Sequence, residues 1–215
     1  LARPRLGARA AIRRGLRPAA RGRRMTGRLI GLGGKLRAGK DAVADHLVDA
    51  HGFVKVGMSD ALHEAMLALD PIVEVADIEI RYSEAITAFG YVETKARFPE
   101  ARRLLQALGT EVGRNMLGEN VWVNAMERKV NAILADGKSV ACTGLRFPNE
   151  IDKVNEMGGT TVWVERPGLL ETSAATHASE NSVGPDIFDH ILVNDGTLED
   201  LRHTVTGMLA DPSTV

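Results

Sequence analysis

Residues 31–47 read GLGGKLRAGKDAVADHL. Gly34 and Gly39 stand five apart, and Lys40 follows the second directly. That is the spacing of a phosphate-binding loop, G-x-x-x-x-G-K-[ST], with Asp41 where a hydroxyl residue is expected. Glycines let the backbone turn tightly enough to aim N–H groups at phosphate oxygens, and the next helix adds partial positive charge at its N-terminus. Lys40 would reach the terminal phosphates. Lys35 and Arg37 add cationic reach, and Ala38 and Ala42 complete the loop's backbone. Asp41 offers Mg2+ a charged oxygen, directly or through one of the several waters this ion retains. Its charge is also favourable at a helix N-terminus for its own sake.

A second group lies in EARRLLQALGTEVGRNM, residues 100–116. On a helical wheel of about 100° per residue, Leu104, Leu105, Leu108, Val112 and Met116 form one apolar face. Arg103, Gln106, Thr110 and Arg114 lie opposite, and Gly109 and Gly113 interrupt the helix as close approach of a ligand would require. Two arginines, an amide and a hydroxyl could grip a phosphate and a base, since the planar guanidinium donates bidentately. The solvated face of a helix looks the same, and the residues alone do not decide. Arg146 in TGLRFPNE, Arg166 in VERPG, and His177 and Glu180 in THASE fall at strand ends or in a loop. A salt bridge explains any one of them; together they favour an anion site. No serine or cysteine nucleophile motif accompanies His177, and no second histidine stands at zinc-ligand spacing.

Positioning these residues requires alternating strands and helices. The pattern predicts strands at 28–34, 53–58, 138–144, 160–165 and 190–195, a helix after Lys40 ended by Gly52, a short helix begun near Pro148, and a last helix over about 197–209. Residues 61–135 read as a mostly helical region broken near Pro71, Gly90 and Pro99, and 167–186 as a polar loop able to act as a lid. The expected fold class is α/β, with a five-stranded parallel sheet covered on both faces and a helical substrate-binding insertion. Ligands bind such sheets beyond the carboxyl ends of the strands. This directs attention to junctions 33–41, 57–60 with Ser59 and Asp60, 143–150 and 165–180.

The chain has 215 residues, 44% hydrophobic and 26% charged, which suits one sizeable globular core. A single cysteine, Cys142, excludes a disulfide framework and reads as a buried thiol in a reducing, cytoplasmic setting. Residues 1–24 hold nine arginines and no acid, leaving 18 basic against 28 acidic residues in 25–215, a net of −10. We expect 1–24 to be a disordered, dispensable tail and 25–215 a single domain. The acidic remainder is a poor surface for nucleic acid, where phosphate contacts dominate binding. No apolar run is long enough for a membrane helix.

The ordered set GKD, RRLLQALGTEVGR with ENVWV, LRFPNE, VERPG, THASE and VNDGTLEDL resembles the deoxynucleoside monophosphate kinases of tailed bacteriophages. The resemblance covers essentially all of 28–209. It implies a P-loop kinase fold and transfer of the ATP γ-phosphoryl to a deoxynucleoside 5′-monophosphate, dTMP and dGMP foremost, in the host cytoplasm. By matching position, Gly39, Lys40 and Asp41 would serve ATP and Mg2+, with Asn194, Asp195 and Gly196 near the adenine. The 103–114 stripe and Trp122 would hold the monophosphate, and Arg146, Arg166 and the His177–Glu180 loop would surround the transferring phosphoryl. The family's strand-end Asp two residues before the arginine of RFPNE is here Gly144, so Asp41, alone or with Glu150, is expected to orient Mg2+. Other readings are a kinase of the dephospho-coenzyme A or phosphomevalonate type, or a nucleotide-regulated DNA-binding protein. Dimerisation is left open.

Overall fold

A computed structural model describes residues 12–14, 27–169 and 182–211. The chain divides into two compact units, Leu1–Gly57 with Glu127–Val215, and Met58–Met126.

The first unit is built on a sheet of six strands. They are β1 (Ile12–Arg14), β2 (Leu29–Gly33), β3 (Val54–Gly57), β6 (Val140–Leu145), β7 (Thr160–Glu165) and β8 (His190–Val193), in the spatial order β1-β8-β7-β2-β6-β3. Five are mutually parallel, as expected; β1 pairs antiparallel with β8. That places one short strand inside 1–24, where no element was foreseen; the rest of 1–24 lies outside the described residues. The first parallel strand, β2, lies at the centre with later strands added on either side. The strand order therefore reverses at its carboxyl end, where α/β sheets bind ligands.

All five residues of β2 are buried, as in a parallel sheet covered on both faces. On one face Ile30, Leu32, Val162, Val164 and Leu192 pack against α1 (Lys40–His51) and α7 (Leu198–Ala210) through Val43, Leu47, Leu201, Val205 and Met208. On the other, Gly31 is closed over by Val154 of α6 (Pro148–Glu156), whose methyl would lie 3.1 Å from an added Cβ. Cys142 is buried in β6, as expected.

The second unit contains α2 (Asp60–Leu69), β4 (Ile72–Val75), β5 (Ile78–Arg81), α3 (Tyr82–Arg97), α4 (Pro99–Gln106), a π-helix (Ala107–Leu117) and the start of α5 (Val121–Ala135). Met66, Val73, Tyr82, Ala85, Phe98, Ala101 and Leu105 form its core. The expected breaks are present: Gly90 kinks α3 with φ 75°, and Pro99 opens α4. The hairpin β4–β5 was not foreseen. Its sequence, IVEV-AD-IEIR, alternates apolar and polar residues and turns at Ala76 with φ 51°, which is strand chemistry.

The π-helix corrects the wheel drawn over 100–116. Its i→i+5 bonding, closed by Gly118 N–H to the Gly113 carbonyl at 3.1 Å, widens each turn and rotates residues beyond Gln106 off the α-helical face. Val112 and Met116, assigned to the apolar face, are 37% and 77% exposed, while Gly113 is buried. Among the described residues no helix is long and apolar enough to cross a membrane.

Candidate active site

The loop between β2 and α1 has the cradle that its glycines imply. Gly39 takes φ 107° at the N-cap of α1, and an added Cβ would stand 2.5 Å from Nδ2 of Asn194. At Gly34, φ 139°, it would stand 2.3 Å from the Val164 carbonyl oxygen. Neither position admits a side chain. Lys40 folds over the loop, its Nζ donating to the carbonyls of Gly34 and Lys35, each at 2.7 Å. Lys35 and Arg37 are exposed and Ala38 is buried. Arg37 occupies the left-handed region at φ 64°, so the turn is tight even at a non-glycine residue.

Asn194, expected beside the adenine, is buried in the structure, and its Nδ2 donates to the Ala38 carbonyl at 2.9 Å. Its amide braces the loop from β8. Asp195 and Gly196 are exposed just beyond, before Thr197 caps α7 by accepting from the Asp200 N–H.

Asp41 lies in the first turn of α1 with its side chain 82% exposed. Lys55 of β3 reaches it at 3.1 Å and Asp45 at 2.9 Å. Burial opposes the charge on Lys55, but hydrogen bonds to Asp45 and Asp41 outweigh it and hold the ammonium pKa above its ordinary value. The sequence reading passed over Lys55, whose only signal was a lone cation in an otherwise apolar strand, FVKVGM.

Gly144 sits on a bulge. Leu32 pairs with Thr143 and Gly33 with Leu145, so Gly144 is the extra residue, at φ 84°. A Cβ there would meet nothing within 4 Å; the backbone, not space, is the obstacle to a side chain. Glu150, expected near the metal, is buried, and its Oε2 accepts the N–H groups of Arg146 and Phe147 at 2.7 and 3.2 Å. This caps α6 and fixes the turn from which Arg146 extends. Arg146 and Arg166 are exposed at the carboxyl ends of β6 and β7, the edge of the sheet that also carries the loop. His177 and Glu180 lie outside the described residues. No group of three or more acidic, histidine or cysteine side chains able to hold a metal occurs among the described residues.

In the second unit, Arg103 is engaged bidentately by Glu100, Nε to Oε2 at 2.8 Å and Nη2 to Oε1 at 2.6 Å. This pairing holds the Glu100 pKa down and the Arg103 pKa up. The stripe itself has no acid, but its first arginine has one a turn before it. Arg102, not singled out from the sequence, is exposed and has no ion pair among the described residues. Gln106 and Thr110 are exposed and Arg114 is half-buried. Trp122 does come to the stripe: its Nε1 donates to the Gly109 carbonyl at 2.8 Å, and its ring covers Gly113, where a Cβ would lie 2.4 Å from Nε1. Ser59 and Asp60 open α2. Nearby, Tyr82 is fully buried with its hydroxyl 2.9 Å from Nδ1 of His63, and burial drives the histidine pKa down and the tyrosine pKa up.

Residues 91–205 match the family model described as deoxynucleotide monophosphate kinase. A protein of Acanthamoeba polyphaga mimivirus, provisionally named for the same activity, is 28% identical over 201 residues, covering 86% of this chain and 97% of the relative. The deoxynucleotide monophosphate kinase of Escherichia phage RB69 is 31% identical over 109 residues, 50% of this chain and 44% of the phage protein. That of Enterobacteria phage T4 is 33% identical, with the same shares. Among solved structures, TT1252 from Thermus thermophilus aligns at TM-score 0.49 and 20% identity, over 86% of this chain and 97% of that one. The dephospho-CoA kinase from Campylobacter jejuni aligns at TM-score 0.48 and 14% identity, with the same shares. With a parallel sheet, a phosphate loop at its switch point and the family model matched over more than half its length, the chain belongs to the deoxynucleotide monophosphate kinase family.

Proposed function

We propose that the protein transfers the γ-phosphoryl group of ATP to a deoxynucleoside 5′-monophosphate, dTMP and dGMP foremost, giving the diphosphate for DNA synthesis. The observation that carries the nucleotide site is the loop itself: a backbone cradle that a Cβ would fill at Gly34 and Gly39, with Lys40 directly after it. Its N–H groups and the N-terminus of α1 receive the phosphates. Lys40 exchanges its carbonyl partners for phosphate oxygens and neutralises the charge that develops on them. Arg146 and Arg166, from adjacent junctions of the same sheet edge, contribute further cations to the phosphoryl group in flight. The acceptor is a phosphate oxygen, already anionic at neutral pH, so alignment and charge neutralisation suffice and no general base is required.

The donor set fits Mg2+, which takes one or two carboxylates and completes its shell with water and phosphate oxygens. Asp41, exposed beside Lys40, is the residue that would hold it; Glu150, whose Oε2 already accepts two N–H groups at the start of α6, would act by fixing the Arg146 turn. When bound, the ion supplies neutralisation of the phosphate oxygens. In the second unit, Arg103 and Gln106 at the end of α4 and Thr110 and Arg114 on the π-helix that follows, against which Trp122 packs, would receive the monophosphate. The test is purified protein with ATP, Mg2+ and, in separate reactions, each common ribo- and deoxyribonucleoside monophosphate, dephospho-coenzyme A and phosphomevalonate. The expected product is a deoxynucleoside diphosphate; phosphorylation of dephospho-coenzyme A or phosphomevalonate instead would reject the substrate class.

A further inference from the structure

We propose that Lys55 is a positioning residue that governs how much of the Asp41 carboxylate is available to magnesium, an inference that rests on Asp41 facing the metal. Asp41 and Asp45 are one helical turn apart on α1, so their carboxylates share a face and repel. The Lys55 ammonium joins them from β3, the end strand of the sheet, at 3.1 and 2.9 Å. It is the one cation that the described ion pairs give to either acid.

Two consequences follow from charge. A divalent ion approaching Asp41 must share that carboxylate with a cation already in contact with it, so Lys55 lowers the affinity of the site. Asp45 has the opposite effect, because the ammonium it holds is drawn toward the second turn of α1 and away from Asp41. The three side chains form a graded clamp: the acid beside the phosphate loop is kept in place, yet is released to the metal by a shift of one lysine side chain. Bare charge near the ion would give the same opposition of sign; what the shared lysine adds is that the Asp45 effect is largely lost once Lys55 is removed.

The experiment measures Mn2+ binding, by electron paramagnetic resonance, to the full chain saturated with a non-hydrolysable ATP analogue. Lys55→Met should tighten Mn2+ binding by about three- to tenfold, with Lys55→Gln as a second variant that keeps a polar tip. Asp45→Asn should weaken binding by about two- to threefold in the wild-type background, and by much less when Lys55 is already Met, a non-additivity that reports the shared lysine. Asp41→Asn is the control for the reading beneath. If it leaves Mn2+ affinity unchanged, Asp41 does not face the metal and both ideas fall. If it weakens binding while both Lys55 variants leave affinity unchanged or reduce it, the Lys55 inference alone is overturned.

Discussion

Gly144 leaves the end of β6 without a carboxylate, and in the proposed function the task of orienting Mg2+ passes to Asp41. Replacing Asp41 by Asn keeps the side chain's size and removes its charge. We expect Asp41→Asn to raise the Mg2+ concentration for half-maximal rate several-fold with little change in Tm; a superimposable magnesium titration would return Asp41 to a helix-terminus role. Returning the strand-end acid through Gly144→Asp should rescue only part of the rate. Space is open there, but φ 84° makes any side chain costly, by about 1–2 kcal/mol. Asn194 gives a second residue-scale prediction. Asn194→Ala removes the donor to the buried Ala38 carbonyl, which should cost about 1–3 kcal/mol of stability and raise the KM for ATP while leaving that for the monophosphate nearly unchanged. Equal shifts in both KM values would contradict a role confined to the phosphate loop.

At the scale of elements, the parallel strands and α1 were legible because each carries a single dominant pattern: apolar runs such as LIGLG and TTVWV, and one punctuating glycine at 52. The β4–β5 hairpin was missed because helical expectation on both sides overrode a clear period of two in IVEVADIEI. The π-helix could not be read from residue types, since widening a turn changes periodicity without changing composition. Its consequence is testable. A methyl group at Gly113 would stand 2.4 Å from the Trp122 ring nitrogen, so Gly113→Ala should cost about 1–3 kcal/mol and raise the monophosphate KM more than the ATP KM, a split visible in steady-state kinetics. Arg103→Ala, by contrast, breaks an exposed ion pair of little energetic weight. Tm should hold while the monophosphate KM rises or turnover falls; no kinetic change at all would assign the stripe to solvent.

At the scale of the whole molecule, the sequence made the sheet's carboxyl edge legible, because the loop, Arg146 and Arg166 each sit where a strand pattern ends. It could not show which polar residues there brace and which reach outward: Asn194 and Glu150 became supports, and Lys55 emerged as a partner of Asp41. The basic segment 1–24 contributes the three-residue strand β1 to the edge of β8 but none of the candidate site residues. Deleting it should leave turnover within about twofold and lower Tm by no more than about 4 °C, if the pairing is worth about 1 kcal/mol; loss of activity with retained folding would give the segment a functional role. The claim beneath all of these is group transfer from ATP to a deoxynucleotide. It is tested most directly by incubating the protein with Mg2+, γ-labelled ATP and dTMP or dGMP, and following the label. The account predicts labelled deoxynucleoside diphosphate forming in step with ADP, and its abolition in Lys40→Met. Label released only as inorganic phosphate, or transfer that survives in Lys40→Met, would contradict it.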